Sequence, residues 1–253
     1  MESAAVYVYG VVPGDEEASP SLGGVENGTV RVIRHAGLGA LVSDVAGGAL
    51  AAAREVRAHW RVLEAASELT TVIPVRFGTV LEDEAAVRER VLEPDAEALV
   101  GLLEALAGRV QLTVKGDYDE DRLLREVVYA SSAVRALRDR VGKVAPAASY
   151  YDRIQLGELI AAEVARRRED DARLALSRLE PLAVAARAET PGRPDAAFDL
   201  AFLVEREGIA AFGRAVSELS EHVKDRIRIR YVGPLPPFSF ADASLPAGGC
   251  RWG

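Results

Sequence analysis

Apolar positions along this chain switch between a two-residue period and a three-to-four-residue period, and each switch marks a change from strand to helix. Val6, Tyr7, Val8, Tyr9, Gly10, Val11 and Val12 form a β-branched and aromatic run closed by Pro13-Gly14, which predicts a buried strand. Residues 15–28 are polar and glycine-rich and predict a loop. Residues 29–34 and 38–43 flank His35-Ala36-Gly37 as the arms of a hairpin. Residues 54–69 follow helical spacing, with Val56, Trp60, Leu63 and Ser67 on one face and Arg57, Arg61, Glu64 and Glu68 elsewhere. Residues 70–75 predict a strand. Thr79 with Glu82 offers a capping box, and Asp83 is a competing N-cap. One or two helices follow, broken near Glu93-Pro94 and stopped at Gly108.

Beyond that glycine, Val110, Leu112 and Val114 alternate with Gln111, Thr113 and Lys115, as in a half-buried strand. Residues 119–141 are helical with a break. Residues 150–179 form a long amphipathic helix whose apolar face runs through Leu156, Ile160, Val164, Leu174 and Leu179, and Pro181 ends it. Residues 182–187 predict a strand. Phe198, Leu200, Phe202 and Val204 alternate with Asp199, Ala201, Leu203 and Glu205 on the next. Ile209, Phe212, Val216, Leu219 and Val223 line a helix, and Ile227, Ile229 and Tyr231 alternate with Arg226, Arg228 and Arg230 on a last strand. The second half thus reads β-α-β-β-α-β, the ferredoxin-like order, with extra helices inserted. The first half is a smaller mixed α+β arrangement. The expected fold class is α+β with two domains, residues 1–108 and 109–240, followed by a flexible tail at 241–253.

The 253 residues are enough for two modest cores, and 49% of them are apolar. A net charge of -8 argues against nonspecific nucleic-acid binding, which needs cations to displace phosphate counterions. One cysteine, Cys250, excludes an intramolecular disulfide and fits a reducing cytoplasm. The first residues show neither a basic nor an apolar segment of a signal peptide, and no run is long and apolar enough to span a membrane.

Catalytic chemistry finds little footing. There is no phosphate-binding loop, no HExxH and no GxSxG, and Gly37-Leu38-Gly39 sits in a hairpin rather than between strand and helix. His35, His59 and His222 fall in unrelated elements without metal spacing. Glu82-Asp83-Glu84 suits a helix N-terminus, and Glu169-Asp170-Asp171 suits a solvated, ion-paired helix face after Arg166-Arg167-Arg168. No catalytic residue, cofactor or metal ligand is therefore assigned. Arg226, Arg228 and Arg230 are expected to point away from the core beside Gln111, Thr113 and Lys115. That face is either solvated or domain-packed, a protein-docking surface, or an RNA-binding sheet; the last usually shows aromatics where this chain has Asp199, Ala201, Leu203 and Glu205.

Two segments look unlike ordinary core: Val72-Ile73-Pro74-Val75-Arg76-Phe77-Gly78-Thr79-Val80 and Tyr231-Val232-Gly233-Pro234-Leu235-Pro236-Pro237-Phe238-Ser239-Phe240. Both resemble signature stretches of the gas vesicle protein F/L (GvpF/GvpL) family. Tyr9-Gly10-Val11-Val12, Gly39-Ala40-Leu41-Val42-Ser43, Val114-Lys115-Gly116, Ser149-Tyr150-Tyr151-Asp152-Arg153-Ile154 with Gly157, and Ala201-Phe202-Leu203-Val204 add to the resemblance in the family's order. Phe238 and Leu235 depart from it, standing where tyrosine and tryptophan are common, and Asp199 stands where asparagine is.

The resemblance implies a non-catalytic accessory or minor structural protein of gas vesicle assembly, located at the gas vesicle or in the cytoplasm. It would contact the hydrophobic shell protein and other accessory proteins, with no nucleic acid and no membrane span. The alternative is an enzyme or small-ligand-binding protein on a ferredoxin-like scaffold. Candidate partner-binding residues are Arg76, Phe77, Gly233, Pro234, Pro236, Pro237, Phe238 and Phe240. Both segments also have a structural reading: Pro74 ending a strand, Arg76 in a buried salt bridge, Gly78 supplying a positive φ, and the proline-rich run as a strap over the protein's own surface.

Overall fold

Strand β1 (Ala5–Pro13) is the centre of a five-stranded sheet. It pairs antiparallel with β3 (Leu38–Val45), which pairs in turn with β2 (Arg31–His35). Ala36 and Gly37 both have positive φ, as a tight two-residue hairpin requires. The short strands β4 (Ile73–Pro74) and β5 (Val80–Leu81) pair with β1 as well. The register of β1 against β3 shifts between Val8 and Gly10. This bulge changes the alternation, so Tyr7, Tyr9 and Val12 enter one core cluster with Ala58, Val62, Leu63 and Ala66 of helix α1 (Ala53–Leu69). Val6, Val8 and Val11 are buried too, in a sheet that also packs against α3 (Ala96–Leu106).

The computed structural model describes residues 5–15, 22–46, 52–143, 149–190, 192–193 and 195–241. It divides into two units: Met1–Gln111 with Gly233–Gly253, and Leu112–Val232. Cys250 and residues 242–253 lie outside the described residues.

Between β5 and α3, Asp83 wins the capping competition: its side chain accepts the Ala86 N–H at 2.8 Å and starts α2 (Glu84–Val87). Thr79 instead donates its hydroxyl to the Arg76 carbonyl at 2.9 Å. A π-helical turn over Arg88–Leu92 precedes the break at Pro94. The strand expected over 70–75 shrinks to Ile73–Pro74, the two residues in register with Val11 and Gly10 of β1, and the Val75 N–H adds one bond to the Tyr9 carbonyl at 2.8 Å.

The second unit is built on a four-stranded sheet of order β7-β8-β6-β9. Its strands are β6 (Arg109–Tyr118), β7 (Ala185–Ala188), β8 (Ala196–Glu205) and β9 (Ile227–Leu235). Helices α4 (Glu120–Ala130), α5 (Ser132–Val141) and α6 (Tyr150–Leu179) lie between β6 and β7, and α7 (Ile209–Val223) lies between β8 and β9. Phe202 of β8 meets Phe212 of α7 at 5.1 Å between ring centroids, and Val216, Leu219 and Val223 extend that buried face.

Five expectations are corrected. On α1 the buried stripe is Glu55, Ala58, His59, Val62, Leu63 and Ala66, rotated away from Trp60, which is exposed. On α6 the buried residues are Asp171, Ala175 and Leu179; Leu156, Ile160 and Val164 are only half-buried, in the half of this 30-residue helix whose Asp152 pairs with Arg140 of α5. Ala201 and Leu203 are buried rather than outward. The basic open face does not form: Gln111 and Thr113 are buried, and two of the three arginines are drawn to buried carboxylates. Arg230 Nε donates to Asp117 at 2.8 Å, and Arg226 donates to Asp171 at 3.2 Å. Asp171, expected on a solvated face, also accepts the Tyr118 hydroxyl at 2.7 Å. Helix α6 presents this carboxylate to the sheet, so its neighbours in sequence do not predict its surroundings.

Candidate partner-binding site

Burial of tyrosines Tyr7 and Tyr9 demands partners for their hydroxyls, and the first unit supplies them. Tyr7 accepts the Gly78 N–H at 3.0 Å and faces His59 Nδ1 at 2.9 Å. With its oxygen accepting from Gly78, the hydroxyl donates to Nδ1, which assigns the imidazole proton to Nε2. That Nε2 makes no hydrogen bond of normal geometry. Burial lowers the His59 pKa to about 4, opposed by the Val75 backbone, and raises that of Tyr7. Tyr9 accepts the Val25 N–H at 2.7 Å and shares a 2.8 Å hydrogen bond with Ser43, while burial raises its pKa as well. A Cβ at Gly24 would collide with the Tyr9 hydroxyl, so the loop can close over this ring only with glycine there.

This polar core fixes the first signature segment. Phe77 is half-buried, edge-on to His59 at 5.6 Å and 6.2 Å from Tyr7. Gly78 adopts φ +90 and donates its N–H inward. Arg76 projects from this turn, exposed. Its carbonyl accepts from the Thr79 hydroxyl, and among the described residues its guanidinium forms no ion pair, contrary to the buried salt bridge considered from sequence.

The second segment lies on the same helix. Phe238 is half-buried against Trp60 at 4.3 Å, and Trp60 follows His59 directly. Phe77 and Phe238 thus flank α1 through adjacent residues and join one core cluster. Gly233 (φ +139) and Pro234 are exposed at the end of β9, joined by a cis peptide bond. Pro236, Pro237 and Phe240 are buried, and the Ser239 N–H donates to Gln111 Oε1 at 2.8 Å. Proline is tolerated here because β9 lies at the edge of its sheet. Of the eight candidates, Arg76, Gly233 and Pro234 are open to a partner, Phe77 and Phe238 half open, and Pro236, Pro237 and Phe240 spent on the protein's own packing. Sequence reasoning passed over Tyr7, Tyr9, Ser43 and Trp60 as parts of this arrangement; only the pair of tyrosines on one strand face hinted at it.

The second unit holds an open pocket of about 490 Å³ lined by Asp117, Arg122, Lys224, Asp225, Arg226 and Arg228, among others. Asp117 is neutralised by Arg230 and Arg193, Arg226 by Asp171, Arg122 by Asp119 and Lys224 by Glu221. Arg228 and Asp225, of opposite sign, remain. Among the described residues no three His, Cys, Asp or Glu side chains converge as a metal ion requires, and no helix is long and apolar enough to cross a membrane.

The sequence matches the family described as gas vesicle synthesis protein GvpL/GvpF over residues 5–242. Gas vesicle protein F of a Streptomyces species is 32% identical over 243 residues, covering 94% of this chain and 100% of the relative. The same protein of a Nostoc species is 29% identical, covering 96% and 100%. The crystal structure of the gas vesicle protein GvpF from an Anabaena species matches with a TM-score of 0.83 at 28% identity, covering 94% of this chain and 98% of that one. On a match that runs nearly end to end in both sequence and mixed α+β fold, the chain belongs to the gas vesicle GvpL/GvpF family.

Proposed function

We propose that this chain is an accessory or minor structural protein of gas vesicle assembly that acts without catalysis, binding the hydrophobic shell protein and other accessory proteins in the cytoplasm or at the vesicle. Family membership supports the gas vesicle role. The observation that carries the docking part is Arg76: a turn held from beneath by Tyr7, His59 and Phe77 projects an exposed cation with no charged partner among the described residues. A rigidly presented arginine binds with little ordering cost. The need is physical, since a shell subunit with a gas-facing apolar side would aggregate if left uncovered before assembly.

The reading includes a domain organisation of residues 1–108 and 109–240, the latter ferredoxin-like. The strand order β7-β8-β6-β9, with helices in both crossover connections, supports that description. The test is capture of co-expressed shell protein by the tagged chain, repeated with Arg76→Glu. Capture by the native chain, sharply reduced in a variant with an unchanged melting temperature, is the expected result. A folded native chain that captures no shell protein overturns the proposal.

A further inference from the structure

The solvent face of α1 carries Arg57, Arg61, Glu64 and Glu68, all exposed and all on one stripe of the helix. Among the described residues none of the four has an ion pair or a side-chain hydrogen bond within the chain. Other helices bind their charges locally: Arg166 pairs with Glu163 and Asp170, Arg173 with Asp170, Lys224 with Glu221, and Arg88 with Glu84.

The order of the α1 charges is unfavourable inside one helix. Arg57 and Arg61 are like charges at i,i+4, and so are Glu64 and Glu68. The cations sit toward the N-terminus and Glu68 lies in the last turn, both against the helix dipole. A stripe of two cations followed by two anions is, however, complementary to itself when reversed.

We propose that this face pairs two copies of the chain, with α1 antiparallel to α1 of the second copy. Arg57 then faces Glu68 of the second copy, Arg61 faces its Glu64, and the two-fold axis repeats both pairs. The opposed helix dipoles add attraction. The same register sets Trp60 and its symmetry mate on one flank of the seam, roughly 7.5 Å apart along the axis for five residues at 1.5 Å each. Trp60 already packs at a tilt against Phe238 and is partly exposed, so the strap supports an aromatic anchor at the edge of the seam. This pairing is independent of which gas vesicle protein the chain binds.

The test is the mass in solution, by light scattering on a sizing column at low and high salt, of the native chain, Arg57→Glu/Arg61→Glu, Glu64→Arg/Glu68→Arg, and an equal mixture of the two variants. The native chain is expected to pair at low salt and separate at high salt. Each variant alone presents four like charges and is expected to stay single, while the mixture restores a one-to-one pair. Circular dichroism and melting verify folding, and if one variant fails to fold the other alone decides, since it must be single where the native chain pairs. A native chain that stays single at low salt, a variant that pairs by itself, or folded variants that do not pair when mixed would overturn the proposal.

Discussion

The hydroxyl of Tyr7 lies 2.9 Å from Nδ1 of His59, a residue 52 positions later in the chain. This bond ties the central strand to α1, and the same hydroxyl holds the signature turn through Gly78. Replacing Tyr7 by phenylalanine keeps the ring and removes both links, leaving Nδ1 buried without a donor. The expected cost is about 2 kcal/mol, read from urea unfolding. A variant within a few tenths of native would show that the hydroxyl does not support the turn.

His59 also sets an acid limit. Its pKa falls from 6.5 in the unfolded chain to about 4 in the folded one, because burial disfavours the charged imidazole. Between these values the unfolded state binds more protons, so stability is fully present above pH 6.5 and is lost as pH falls toward 4. The loss amounts to about 3 kcal/mol across that window. His59→Gln removes the titration, so the variant's stability is expected to be flatter than native between pH 6.5 and 4. An unchanged slope assigns the acid sensitivity elsewhere.

Asp171 is the hub of a buried polar group in the second unit, taking the Tyr118 hydroxyl and the Arg226 guanidinium. Burial raises the Tyr118 pKa, so that hydroxyl keeps its proton and donates throughout the physiological range. Asp171→Asn keeps the shape but leaves Arg226 without its countercharge. A loss of about 3 kcal/mol is expected in thermal or chemical unfolding. A near-neutral result would mean that solvent already serves Arg226.

Two glycine replacements should act in opposite directions. At Gly78 a Cβ meets nothing within 4 Å, yet φ is +90, so Gly78→Ala strains the backbone and costs about 1 kcal/mol or more. At Gly101, inside α3, a Cβ is equally free of contacts and the backbone is helical, so Gly101→Ala stabilises by about 1 kcal/mol. Melting temperatures that move the same way in both would contradict this contrast.

Local chemistry determined most of the elements. A β-branched and aromatic run placed β1, alternation placed β6, β8 and β9, and helical spacing placed α1, α6 and α7, because these periods follow from backbone geometry alone. The positive φ of Gly78 was likewise contained in a short stretch of sequence, whereas the N-cap was left open between Thr79 and Asp83 until the structure chose Asp83. Which polar residues would be buried was not. Asp171 reads as one member of a solvated acidic run until α6 brings it to Tyr118 and Arg226, and the arginines of β9 read as an open stripe until buried carboxylates claim two of them. Trp60 was placed on one face with Val56, Leu63 and Ser67 by helical spacing, but the face of α1 that meets Tyr7 and Tyr9 lies a third of a turn away. Arg76 and Phe238 were visible as unusual residues in unusual segments, whereas their common support on His59 and Trp60 was not. Periodicity is a property of neighbours along the chain; burial and partnership depend on which distant surface arrives opposite, and that is decided only when the helices and sheets pack.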